Sequence, residues 1–480
     1  MNRKEATVGF AWNFLFGLPS KLLFPILGIL IARILGPDEI GVFAVLTTVL
    51  AISDIFRDAG LGNSYIADKE ADRPEREGAY HALAILTAAI LALIVFLARD
   101  AIAGFFAMPE LSWGLQIVAF ALLANGFITI PVAKLQRQAR FRDAGIIQTL
   151  SGLISYAVAV PLAFTGIGFQ ALVWGLLARA LLYWGLAHYT APTKLTAIER
   201  SFLSSVFGRS SAIFSQNLLY SVYTILDNAL ITKLFGKSAI GFYSIAWNLG
   251  IKPVEFISFP LSSTLFVAYT RYSGDQAKFA SVFCRSLAAA SLISLPLFAF
   301  IGLFAHELIV VLYTAKFSAS IPLLQMLSVY FAFRSLGTLA GSAMVAANRA
   351  YLNVASWLSG FAVAAAGLGA NWGSLTLGTA VLWITIGACC AYGLTLALAF
   401  WKLKPGAADL RKVWMALVIS LLPALACFGI RQVPMREVLA LFAGFAVVIG
   451  VQAFAVGVIL GGSPFAVLSR TGVRRIWNSL

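Results

Sequence analysis

About fourteen long apolar stretches fill this 480-residue chain almost end to end, and charge enters them at only nine points. A hydrocarbon layer about 30 Å thick needs about 20 apolar residues to cross it. On that window the helices fall near 9–33, 40–66, 79–98, 112–131, 143–164, 168–188 and 208–232. A second set follows near 240–268, 279–303, 322–346, 350–370, 374–401, 412–430 and 437–460. Segments 99–111 and 304–317 are too short to span and are expected as amphipathic pieces in the interface. The nine intramembrane charges are Lys21, Asp54, Arg57, Asp58, Arg179, Asp227, Lys252, Glu255 and Arg334. Each costs about 3 kcal/mol at bilayer depth by insertion scales. Cations spread over several helices therefore predict a polar cavity inside the membrane.

The composition agrees: 60% hydrophobic residues, 11% charged and a mean hydropathy of +0.88, against about 45–50% and about 25% for a soluble domain. Basic residues before the first apolar run look like the start of a signal peptide. That run continues to Ile34 with no small-residue cleavage site, so a first transmembrane helix is expected. With the N-terminus placed in the cytoplasm, most of the 35 lysines and arginines fall on the cytoplasmic side, which puts both termini there. The net charge of +15 then reflects topology and contact with anionic lipid headgroups, not nucleic acid. No loop exceeds about twenty residues and no G-x-x-x-x-G-K-[ST] motif occurs, which leaves no place for a soluble catalytic or nucleotide-binding domain. The four cysteines and His81, His188 and His306 form no ligand set, so neither a metal nor a cofactor is expected.

The chain also repeats itself. Arg33-Ile-Leu-Gly-Pro-Asp-Glu-Ile-Gly-Val-Phe-Ala44 aligns without a gap with Lys233-Leu-Phe-Gly-Lys-Ser-Ala-Ile-Gly-Phe-Tyr-Ser244. Leu115-Gln116 answers Leu324-Gln325, and Arg137 to Phe141 resembles Asn348-Arg349-Ala350-Tyr351. Each stretch occupies the same place in a six-helix unit, and an even number of spans separates the copies. Parallel repeats of this kind set a substrate site between halves near the midplane. The expected divisions are 1–200, 201–404 and a pair of additional helices with a basic tail over 405–480.

The run from Arg33 to Ile66 resembles the start of Wzx-type polysaccharide and O-antigen flippases, a branch of the multidrug/oligosaccharidyl-lipid/polysaccharide superfamily. The similarity rests on Leu35-Gly36-Pro37, Gly41, Asp58-Ala-Gly-Leu-Gly62, Leu135-Gln-Arg-Gln-Ala-Arg-Phe141 and Gly236…Gly241-Phe-Tyr. The resemblance implies an all-α integral membrane protein with two six-helix lobes in a V around a central cavity, plus two peripheral helices. It implies a flippase that carries polyprenyl-diphosphate-linked oligosaccharide from the cytoplasmic to the outer leaflet of a bacterial inner membrane by alternating access. Membrane lipids, a polysaccharide polymerase and chain-length machinery are the implied partners. Lipid II flippases are close cousins of that family with a cationic cavity; the resemblance implies that Arg57 matches one of its cations, with Lys21 and Lys252 as looser positional matches.

Each charge has a functional and a bland reading. Arg57 suits a diphosphate, because guanidinium is a planar, permanent fork of donors, yet Asp54 at i−3 can pair with it inside the helix. Asp54 and Asp58 are structural partners or coupling acids. Lys252 and Glu255 repeat that spacing on the eighth span. Lys21, between Pro19 and Pro25, sits at a kink or snorkels. Arg179 and Arg334 line the cavity or answer Asp227 or a carbonyl, and Asp227 couples a cation or caps. Gly36, Pro37 and Gly236 are the expected hinges. Trp174, Tyr220 and Trp247 are belt residues unless they face the cavity as sugar platforms. Coupling to H+ or Na+ stays open. The rivals are a cation-coupled multidrug exporter of the same superfamily and, more remotely, a membrane polysaccharide polymerase or ligase, which would carry a large external loop that this chain lacks.

Overall fold

The structure is a computed structural model that describes residues 23–459 apart from 59, 69, 72, 197–199, 273 and 432–435, with backbone alone for 200–225 and 452–459. Among the described residues every regular element is helical. In chain order they are α1 (Leu23–Ile34), α2 (Pro37–Asp58), α3 (Leu61–Ala67), α4 (Pro74–Phe106), α5 (Leu111–Arg137), α6 (Phe141–Phe164), α7 (Gln170–Thr190) and α8 (Arg200–Pro253). A π turn over Val254–Ser258 leads to α9 (Phe259–Arg271), α10 (Gln276–Leu303), α11 (Ala305–Tyr313), α12 (Ser320–Ala346), α13 (Tyr351–Ala370), α14 (Leu377–Leu403), α15 (Ala407–Arg431) and α16 (Glu437–Ile459). Ten helical stretches are long and apolar enough to cross a membrane. Within the described residues α1 and α16 are apolar but shorter, while α8 and α9 cover the expected spans 208–232 and 240–268. The chain is an all-α, multi-pass membrane protein.

Three expectations change in detail. The second span is not one helix: Gly60 takes φ +77° and ψ 12°, a left-handed conformation that ends α2 and starts α3. Arg57 consequently lies in the last turn of α2 rather than mid-helix. Residues 99–106 are not a separate interfacial piece but the closing turns of α4, which stops at the left-handed Ala107 ahead of Pro109. The connector expected at 233–239 shrinks to a single break at Gly236 (φ +81°, ψ −172°), with helix on both sides. Only glycine adopts such a conformation without strain.

The chain divides into two compact units, Met1–Gly241 and Phe242–Leu480. In the first, α4 packs along α5, α6 along α7, and α5 against α7, while α2 rests on α5 and α4. Leu61, Tyr65, Tyr80, Leu83 and Ile130 form one of its buried clusters. In the second, α13 packs on α14, α12 on α14 and α10, and α15 on α10 and α16. Its core gathers Tyr269, Phe283, Leu339 and Met344 with Val413 of α15. The repeated segments meet inside the first unit. Gly41 of α2 faces Gly241 just after the break, so closely that a methyl on Gly41 would overlap the Lys237 carbonyl, and one on Gly241 the Pro37 carbonyl. Beside this crossing Lys237 pairs with Glu110 at 2.9 Å, Ser238 donates to Asp38, and Glu39 accepts the Phe169 N–H at 2.6 Å.

Candidate functional site: a charged cavity in the first unit

A cavity of about 690 Å³ opens among α2, α3, α5, α6 and α7, with Phe24 of α1 on its wall. Its charged lining is Asp54, Arg57, Asp58 and Arg179. Four of the nine intramembrane charges, three from residues 54–58 and one from α7, are thus brought to one place.

Arg57 is anchored. Its Nε donates to Asp54 Oδ1 at 2.8 Å, and its Nη1 donates to the Asn125 carbonyl at 3.1 Å and to the Thr129 hydroxyl. Asn125 Nδ2 donates to the same Asp54 oxygen at 3.4 Å. α2 rests on α5 along this stretch, which is why these groups meet. The Arg57 side chain is only 13% exposed and that of Asp54 is 34% exposed. The internal ion pair therefore exists, and both its members still line the cavity. Arg179, on α7, is exposed and makes neither an ion pair nor a hydrogen bond with any described residue. Asp58 likewise lines the cavity without an ion pair among the described residues.

Neutral polar residues on the same wall carried no charge to draw attention to them. Asn125, Thr129 and Gln136 recur at i, i+4 and i+11 along one face of the apolar α5, and Tyr156 and Tyr183 come from α6 and α7. That polar stripe was the available signal.

The remaining candidates lie elsewhere. Lys252 and Glu255 pair at 2.8 Å and are both partly exposed, at 35% and 43%. They straddle Pro253, where the π turn begins, and π bulges of this kind cluster at functional sites. Arg334 is buried at 4% exposure inside an aromatic box: its guanidinium carbon lies 5.7 Å from the Trp247 ring, 5.9 Å from Tyr330 and 6.0 Å from Phe259. It also donates to the Tyr330 hydroxyl at 3.2 Å. Such a box stabilises the cation through the ring quadrupoles. Asp227 accepts the Asn228 N–H at 2.8 Å. Lys21 and the side chain of Tyr220 lie outside the described residues. Trp174 is edge-on to Trp113 at 6.0 Å, and Trp247 is committed to the box. Gly36 is unobstructed and Pro37 opens α2.

Just past α3, several charges counted toward topology also hold the unit together. Arg76 Nε pairs with Asp68 at 2.7 Å, Tyr80 donates to Asp68 at 3.0 Å, and Lys134 pairs with Glu77 at 2.7 Å. Arg137 caps α3 by donating to the carbonyls of Tyr65, Ile66 and Asp68. Burial pushes the Asp68 carboxyl up, but the hydrogen bonds from Arg76, the Glu70 amide and Tyr80 outweigh it and hold Asp68 below its usual value.

The polysaccharide biosynthesis protein family model matches residues 30–322. The lipopolysaccharide biosynthesis protein WzxC of Escherichia coli (strain K12) is 24% identical over 337 residues, covering 66% of this chain and 65% of the relative. The succinoglycan biosynthesis transport protein ExoT of Rhizobium meliloti (strain 1021) is 24% identical, covering 68% and 66%. The chain thus covers just under two thirds of the length of these relatives. The lipid II flippase MurJ, in an inward closed conformation, shares the fold with a TM-score of 0.75 at 13% identity, over 93% of this chain and 99% of that one. An inward-facing multidrug resistance MATE family transporter of the MOP superfamily follows at 0.64 and 14% identity, over 80% and 94%. The family model alone spans more than half of the sequence, and on that match the chain belongs to the polysaccharide biosynthesis protein family.

Proposed function

We propose that the protein is a flippase for polyprenyl-diphosphate-linked glycans, moving them from the cytoplasmic to the outer leaflet of a bacterial inner membrane for surface polysaccharide biosynthesis. The observation that carries this is a cavity lined by charged and polar side chains, enclosed by membrane-spanning helices of a chain in that family. Carrying a charged, hydroxyl-rich headgroup through hydrocarbon costs many kcal/mol, and fixed counter-charges in a polar lumen offset most of it. The lipid tail stays in the bilayer. The protein acts as a secondary transporter, not an enzyme, driven by H+, Na+ or the membrane potential, with both termini in the cytoplasm. A polysaccharide polymerase and chain-length machinery are its downstream partners. The names of WzxC and ExoT, which place those relatives in lipopolysaccharide biosynthesis and succinoglycan transport, support this class of cargo.

The test is complementation of a strain that lacks its own polyprenyl-glycan flippase, scored by surface polysaccharide. Restored export by the wild type supports the proposal. No export together with new resistance to cationic drugs overturns it in favour of an exporter.

A further inference from the structure

The two cavity arginines are not equivalent, and the difference assigns them different work. We infer that Arg179 is the residue that takes the anionic group of the substrate, while Arg57 is a positioning residue that fixes the wall around it. The inference rests on the flippase proposal above. It reverses the order that charge and helix position alone would give.

A guanidinium has five N–H donors and one positive charge to offer. Arg57 spends Nε on Asp54 and Nη1 on the Asn125 carbonyl and the Thr129 hydroxyl, and its charge is met by Asp54 2.8 Å away. Most of its donors point into the wall, and its pairing makes that part of the wall neutral. An anion binding at Arg57 would compete with an intact, three-partner arrangement. Arg179 spends nothing on any described residue and faces the same 690 Å³ cavity. A permanent charge kept in a membrane helix with no partner among the described residues is costly, and the cost is offset when the partner is a ligand. Tyr183, one turn further along α7, and Tyr156 on α6 line the same cavity wall and add hydroxyls to it.

Asp58 fits the same division. A carboxylate repels phosphate but is a strong acceptor for sugar hydroxyls. It stands with Asn63 and Gln136 at the α3 end of the cavity, while Arg179 comes from the middle of α7. The arrangement is a two-part site: a cation for the anionic group, and a carboxylate with amides for the neutral hydroxyls of the attached glycan. The anion is a diphosphate or the carboxylate of an acidic sugar, and the experiment separates these two sources.

The full-length protein in detergent is titrated with undecaprenyl diphosphate and, separately, with sodium glucuronate, and binding is read from tryptophan fluorescence. Arg179→Gln is expected to weaken binding of one of the two about tenfold or more. Loss with undecaprenyl diphosphate names the diphosphate as the anion, and loss with glucuronate names an acidic sugar. Arg179→Lys, which keeps the charge but not the fork, is expected to fall between and covers the case in which Arg179→Gln does not fold. The double variant Asp54→Asn with Arg57→Gln removes the pair without changing net charge. It is expected to stay within about threefold of wild-type affinity while slowing transport in vesicles, the split of a positioning role. Binding that survives in Arg179→Gln and is lost in the double variant overturns the inference, as does equal loss in both. Wild type that binds neither probe yet restores export in the complementation assay overturns the inference and leaves the flippase proposal standing. Wild type that does neither sinks both.

Discussion

At the scale of single residues, the stabilising work in the first unit is done by polar groups that reach across helices. Thr129 holds Arg57 from α5, so Thr129→Val leaves one guanidinium donor unmet and is expected to lower stability by about 1 kcal/mol. Thermal unfolding in detergent reads this directly. Asp68 carries the pH dependence. Its folded value lies below the ordinary 3.8, so its contribution is complete above that pH and is lost as the pH falls through the folded value. Asp68→Asn is expected to flatten the acid limb of the melting profile and to lower stability near neutral pH. The Asp54–Arg57 pair was legible in the sequence because i,i+3 spacing on a helix puts the two side chains side by side. The rest of that network was not: Asn125 and Thr129 come from about 70 residues away, and neutral side chains in an apolar helix leave little trace in hydropathy. Arg334 shows the same limit, since Trp247 reaches it only through packing across separate helices.

At the scale of elements, hydropathy located nearly every helix but missed where they break. The break at Gly60 follows three charges within residues 54–58 and precedes Gly62, a local signal that a 20-residue hydropathy window averages away. Gly236 was recognisable as a turn, although the connector around it turned out to be one residue long. Gly60→Ala puts a side chain on a left-handed backbone and is expected to cost about 1 kcal/mol and to disturb the end of α2 that carries Arg57. The Gly41–Gly241 crossing is the tighter constraint. Either residue changed to Ala overlaps a backbone carbonyl that has no room to yield, at an expected cost of about 1–3 kcal/mol. The two single variants share one contact, so their combined cost is expected to fall short of the sum. Melting temperatures of the two singles and the double check this.

At the scale of the whole molecule, the sequence read the class of protein and its many spans, because both are written in long apolar stretches. The proposed orientation rests on the lysine and arginine bias alone, and it makes a prediction. In a variant without native cysteines, Lys404→Cys is expected to react with an impermeant thiol reagent only from the cytoplasmic side, and Lys316→Cys only from the outside. The reverse pattern would invert the molecule. The crossing of α2 with the segment after Gly236 has one more consequence. Residue 37 meets 241 and residue 237 meets 41, an exchange at a constant offset of two hundred. Such reciprocity is the signature of an isologous contact, the kind that two identical subunits make about a two-fold axis. Each segment therefore presents the same pair of positions to the other, so a methyl added at Gly41 and one added at Gly241 meet equivalent neighbours.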